Sequence, residues 1–149
     1  MGRRTKAREC AFQILYQWQI SGEPMDDVLR SFWRIRSGTA QMQAMAERLA
    51  LGARACVERL DEAIAASAAN WRLDRIAPVD RTILRLGTYE LIAERETPHA
   101  VVLDEAVELA KRFGEADSPA FVNGVLDAIR QRLAAPARAA GVAKGDEER

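Results

Sequence analysis

Apolar residues recur at helical spacing along nearly the whole chain. From Arg3 to Ile20 they fall at Ala7, Cys10, Ala11, Ile14, Leu15 and Trp18, a stripe on one helix face. Ser21-Gly22 ends that element, with Gly22 suited to a left-handed cap. Pro24 suits the first turn of a second helix, whose predicted buried stripe is Met25, Val28, Leu29, Phe32 and Ile35. Ser37-Gly38-Thr39 punctuates the pattern. A long stripe then runs through Met42, Met45, Ala46, Leu49, Ala53, Cys56, Val57, Leu60 and Ile64, and Gly52 within it leaves open one helix or two.

Small and polar residues over 65–70 divide the chain into halves. The second half opens with Trp71, Leu73 and Ile76, then Pro78 at a helix start. Ile83, Leu84, Leu86, Gly87, Tyr89, Leu91 and Ile92 make the next helix apolar on nearly all sides, the pattern of a bundle centre. Gly87 in its middle points to close approach by a neighbour. Thr97-Pro98 predicts a cap followed by proline at the first helical position, and the helix continues through Val102, Ala106, Leu109, Ala110 and Phe113 to Gly114. Ser118-Pro119 repeats the device before a last helix that buries Val122, Val125, Leu126, Ile129 and Leu133 and stops at Pro136. No stretch alternates like a strand. The predicted fold is all-α, with about seven helices.

At 149 residues, 48% apolar and 30% charged, the chain can bury a substantial core. One domain is expected over 1–136, with helical halves 3–69 and 70–136, followed by a disordered Ala/Gly-rich charged tail at 137–149. Two cysteines, Cys10 and Cys56, both on core-spaced positions, suit a reducing compartment. No run of 18 apolar residues is present, so no membrane span is expected, and the predicted location is cytoplasmic.

Catalytic chemistry is scarce. The one histidine, His99, stands in a predicted first turn with no cysteine or acidic cluster paired to it. The cysteines have no zinc spacing, and Asp104, Glu105 and Glu108 lack the Glu-x-x-His ligands of a di-iron bundle. No phosphate-binding glycine loop or nucleophile elbow occurs. The reading is a protein with no cofactor and no enzymatic activity.

The first helix carries the one distinctive surface. Arg3, Arg4, Lys6 and Arg8 against Glu9 give residues 1–20 a net charge of +3 in a chain whose formal charge is zero. Basic side chains oppose the dipole at a helix start, which favours a functional reason for them. Arg8, Phe12 and Tyr16 stand four residues apart, placing an arginine and two rings on one side of the helix. Guanidinium groups for phosphates and rings for unpaired bases suit single-stranded RNA. A solvated helix start with Phe12 in the core is the bland alternative.

Three blocks carry a family likeness. The first runs Arg3-Arg-Thr-Lys-Ala-Arg-Glu-Cys-Ala11 with Gln13, Leu15, Tyr16 and Trp18. The second runs from Asp80 to Leu91. The third runs from Asp104 to Gly114, continued by Phe121-Val-Asn-Gly-Val-Leu126. In order and spacing they resemble the bacterial transcription antitermination factor NusB family, from about Arg3 to Leu133. The resemblance implies two packed helical subdomains and no catalysis. It also implies binding of boxA RNA in ribosomal transcripts together with the small-subunit ribosomal protein NusE. The assembly it implies joins transcribing RNA polymerase and the other Nus factors. Some members pair through their helices, so a homodimer is compatible with it.

Carried over by position, Arg3, Arg4, Lys6 and Arg8 match the RNA-binding opening, and Tyr16 an aromatic near RNA and partner. Asp117, Ser118 and Phe121 match a second segment approaching RNA, and Asp80 and Glu90 an acidic side facing NusE. On this reading Gly124 serves close helix packing. Replacing Arg4 and Arg8 by alanine should weaken RNA binding and spare thermal stability. Two rival expectations are a helical protein-interaction module and a stand-alone relative of the RNA-binding domain of ribosomal RNA cytosine methyltransferases. Against the latter, no cofactor-binding domain follows the helical block.

Overall fold

The computed structural model describes residues 2–68 and 70–147, with side-chain surroundings as far as residue 134. Among them all regular structure is helical: α1 (Arg3–Ser21), α2 (Met25–Ile35), α3 (Ala40–Ala55), α4 (Val57–Ser67), α5 (Pro78–Ala93), α6 (His99–Phe113) and α7 (Ser118–Glu147), with a 3-10 turn at Leu73–Arg75. Gly22 takes the left-handed cap at φ 71°, and its N–H donates to the Trp18 carbonyl. Thr39 caps α3 by accepting from the Met42 N–H at 3.1 Å.

The long stripe is two helices, and the break lies at Cys56, where φ −120° and ψ 29° leave the helical region. Gly52 stays inside α3. Its missing side chain admits Tyr89 of α5, whose phenol oxygen would lie 2.1 Å from a Cβ there. Gly87 lets α7 approach α5 in the same way, since a Cβ would meet Leu126 Cδ1 at 2.8 Å. Gly124, by contrast, has open space around it, so it does not serve helix packing.

Other boundaries shift for identifiable reasons. Pro98, lacking an N–H, becomes the cap of α6, and its carbonyl accepts from the Val101 and Val102 N–H groups. Ile35, predicted buried, is 86% exposed because α2 ends there and Arg36 continues as extended chain. The last helix runs past Pro136. Its alanine-rich flanks favour helix strongly enough to carry the chain across a residue that removes one backbone donor.

α1 packs on α2 and α3, while α5, α6 and α7 pack on one another. α4 lies on α5 and α7 and touches α3 only near their junction, so by packing it sits with the second group of helices. α1 and α3 both rest on α5, which joins the two groups through one continuous core. Ile83, Leu84 and Leu86 of α5 are at most 1% exposed. Burying each such side chain contributes roughly 1.5–3 kcal/mol.

Candidate nucleic-acid interface

The first turn of α1 contains no acidic residue and no side-chain cap. Arg3, Arg4 and Lys6 all stand exposed there. Arg3 donates to the Gln41 side chain at the start of α3, which ties this basic end to the neighbouring helix. Arg3, Arg4, Thr5, Gln41 and Met45 border a cleft of about 520 Å³. Arg3 and Lys6 also border one of about 320 Å³ lined by Ser37, Gly38 and Thr39 of the α2–α3 connection.

Arg8, one turn further on, has a different environment. It is 2% exposed, and its Nε donates to Glu90 Oε1 at 2.9 Å with Oε2 at 3.1 Å. Glu105 of α6 lies 3.7 Å from its Nη1, and Thr5 Oγ1 donates to the same Glu105 oxygen at 2.8 Å. Glu90 itself is 3% exposed. Burial raises its carboxyl above the ordinary range, and the Arg8 guanidinium only partly offsets this. One turn in from the free end, α5 and α6 cover position 8, so Arg8 is not a surface RNA contact and Glu90 is not part of a partner-facing surface. Both expectations are corrected, and with them the expectation that Arg8 can be replaced at no cost in stability.

Tyr16 is half-buried at the end of an aromatic row. Its ring centroid lies 6.0 Å from that of Phe12, which lies 5.0 Å from Phe113. Phe12 is core, as the bland alternative held, and Tyr16 remains accessible at the row's edge.

The other predicted residues gather near the far end of α1. Gln19 donates to the Pro78 carbonyl at 3.3 Å, bringing the end of α1 to the start of α5. Arg3 and Gln19 are separated by about 24 Å along the helix axis at 1.5 Å per residue. There Asp80, Asp117 and Phe121 line a cleft of about 180 Å³ with Trp71, Arg75 and Glu115. Trp71 is half-exposed and meets Phe121 edge to face at 5.9 Å. Asp80 is buried except at this cleft, and its Oδ1 has no hydrogen-bond partner among the described residues. Burial raises its carboxyl, Ser118 lowers it by a hydrogen bond, and Asp117 and Glu115 raise it further.

Ser118 is 1% exposed, and its Oγ accepts from the Glu115 N–H at 2.9 Å. It shapes the turn into α7 and does not face a ligand, which corrects its place among RNA contacts. Sequence reading did not single out Trp71 or Arg75 as site residues. The signal available was a tryptophan in a polar stretch, aligned with no core stripe.

Helices arranged around one core, with a basic end and an aromatic, acidic cleft on the surface, define a helical scaffold built for holding partners. Comparisons place it more narrowly. The NusB family model matches residues 5–131. The transcription antitermination protein NusB of Sorangium cellulosum is 47% identical over 133 residues, covering 89% of this chain and 95% of that protein. Its namesake in Anaeromyxobacter dehalogenans is 46% identical over 137 residues, covering 91% and 95%. The solved structure of T. maritima NusB superposes with a TM-score of 0.79 at 34% identity, covering 88% of this chain and 92% of that one. A chain from a crystal structure of antitermination factors NusB and NusE with double-stranded RNA gives 0.81 at 30% identity, covering 89% and 98%. The chain belongs to the NusB family.

Proposed function

We propose that this protein is a transcription antitermination factor. It binds boxA RNA in ribosomal transcripts jointly with ribosomal protein NusE, and the complex joins transcribing RNA polymerase without catalysing a reaction. The observation that carries this reading is the exposed cluster Arg3, Arg4 and Lys6, held at a helix start where the dipole opposes it. Family membership and the likeness to a NusB–NusE–RNA assembly support it. The basic end attracts the strand's phosphates, Tyr16 offers a ring edge, and the cleft of Asp80, Asp117 and Phe121 presents acceptors and an aromatic surface to a base or to the protein partner. With NusE strengthening the binding of RNA, RNA strengthens the binding of NusE by the same factor.

The test is a fluorescence-anisotropy titration of boxA-like RNA and a scrambled strand of equal length, with and without NusE. Preference for the boxA-like strand, sharpened by NusE, is the expected result. Equal, weak and strongly salt-dependent binding to both strands would reduce the basic end to general electrostatics.

A further inference from the structure

Beyond Lys6 in its first turn, α1 carries a polar stripe of Glu9, Gln13, Tyr16 and Gln17, with Glu9 buried and the other three partly exposed. Two arginines from other helices lean over this stripe from opposite sides. Arg36 comes from the end of α2 and Arg112 from the last turn of α6. Both converge on one carboxylate: Arg112 Nη1 lies 2.8 Å from Glu9 Oε1, and Arg36 Nη2 lies 3.9 Å from Glu9 Oε2. Arg36 also donates to the Gln13 side chain.

Each guanidinium rests on a ring, Arg36 at 5.6 Å from the Phe32 centroid and Arg112 at 5.5 Å from that of Phe113. Glu9 is 8% exposed beneath them, whereas the arginines are 38% and 44% exposed. The acid is covered and the cations are presented, so the outward charge is positive. Ring contact and ion pair fix both planar heads before any ligand arrives, which lowers the ordering cost of a contact.

The location gives the pair its meaning. The cleft bordered by Arg3 and Lys6 includes Ser37, the residue next to Arg36. A second cleft, also about 320 Å³, continues past Arg36 along Gln13, Gln17, Phe32 and the exposed Ile35. Arg112 stands beside Phe113, which begins the aromatic row ending at Tyr16.

We infer that Arg36 and Arg112 form a phosphate clamp for single-stranded RNA, carrying the strand from the basic end of α1 over the stripe they flank towards Tyr16. The inference rests on the RNA-binding reading above and extends it to two residues outside the basic opening. Glu9 is the positioning residue that holds both arginines across the stripe.

The test uses the full chain with NusE and boxA-like RNA, titrated over a range of salt. Four variants are compared with wild type: the double variant Arg36→Ala/Arg112→Ala, its counterpart Arg36→Lys/Arg112→Lys, the pair Arg3→Ala/Arg4→Ala, and Arg59→Ala on the exposed face of α4. Two lost phosphate contacts on a single strand should lower the magnitude of the log–log salt slope by about 1.4 and weaken binding on the order of tenfold. The lysine variant should keep most of the slope, because charge is retained while the planar, ring-stacked head is lost. Circular dichroism confirms that each variant is folded.

If the alanine double variant matches Arg59→Ala in affinity and slope while Arg3→Ala/Arg4→Ala loses both, the clamp is refuted and the RNA reading stands. If wild type shows no RNA binding even with NusE, the RNA reading falls and the clamp with it.

Discussion

Arg4 and Arg8 belong to one short basic run and lie one helical turn apart, yet they occupy opposite environments. Arg4 stands in water at the rim of an open cleft. Arg8 is sealed against Glu90 where α1 crosses α5, with Glu105 of α6 close by. A guanidinium in water offers its charge to a phosphate, whereas one buried beside a carboxylate spends that charge on fixing helices. The contrast shows that a basic motif in a helix is not one functional unit. Four residues apart, Arg4 and Arg8 lie within about 40° of one another on the helix, so position along the axis separates them: α5 and α6 cover the helix at Arg8, while Arg4 in the first turn stays in water.

The comparison breaks most visibly from the inside. Removing one member of the buried pair leaves its partner's charge uncompensated, so Arg8→Ala or Glu90→Ala should each cost about 3–5 kcal/mol in urea unfolding. Arg8→Met/Glu90→Leu should be far milder than the sum of its single variants. Additive losses would mean that the two side chains act independently.

Glycines repeat the inside–outside contrast without charge. A methyl at Gly87 must displace Leu126 in the packed core, so Gly87→Ala should cost about 1–3 kcal/mol in thermal or urea unfolding. Gly124 faces open space in a helix, and Gly124→Ala should instead stabilise by about 0.5–1 kcal/mol.

The smallest expected effect concerns Asp80, whose folded carboxyl is raised above the ordinary 3.8 mainly by burial. A raised acid contributes stability below its unfolded value and loses it as pH climbs through the folded value. Asp80→Asn does not titrate, so its melting temperature should gain on wild type as pH rises from about 4 towards neutrality. A constant difference across that range would show that the carboxyl is not perturbed.

Helices and core were legible because 3.6-residue periodicity reports burial directly. The stripe Ala7, Cys10, Ala11, Ile14 and Leu15 is buried throughout, and Gly87 meets a neighbour as its position in an apolar helix implies. What periodicity does not carry is the partner across an interface. Arg8 sits among apolar positions of α1, but only the arrival of Glu90, 82 residues later, makes its burial tolerable. Ser118 reads as a helix cap beside a ligand segment, and its burial goes with the turn at Glu115, whose N–H donates to its Oγ. Arg36, just past the end of α2, and Arg112 on α6 stand at no motif spacing, so their convergence on Glu9 exists only in the fold. The break at Cys56 was hidden because a stripe continues in phase across it, and Gly52 drew attention for a flexibility it does not use.

One paired measurement tests the central division of the basic run most directly. Arg3→Ala/Arg4→Ala and Arg8→Ala would each be assayed for unfolding free energy and, at a temperature where both are folded, for the salt dependence of boxA-like RNA binding with NusE. The division predicts that Arg3→Ala/Arg4→Ala lowers affinity and salt slope with stability unchanged, while Arg8→Ala loses about 3–5 kcal/mol of stability and keeps the wild-type slope. An Arg8→Ala protein as stable as wild type but with a flattened salt slope would contradict it, returning Arg8 to the RNA surface.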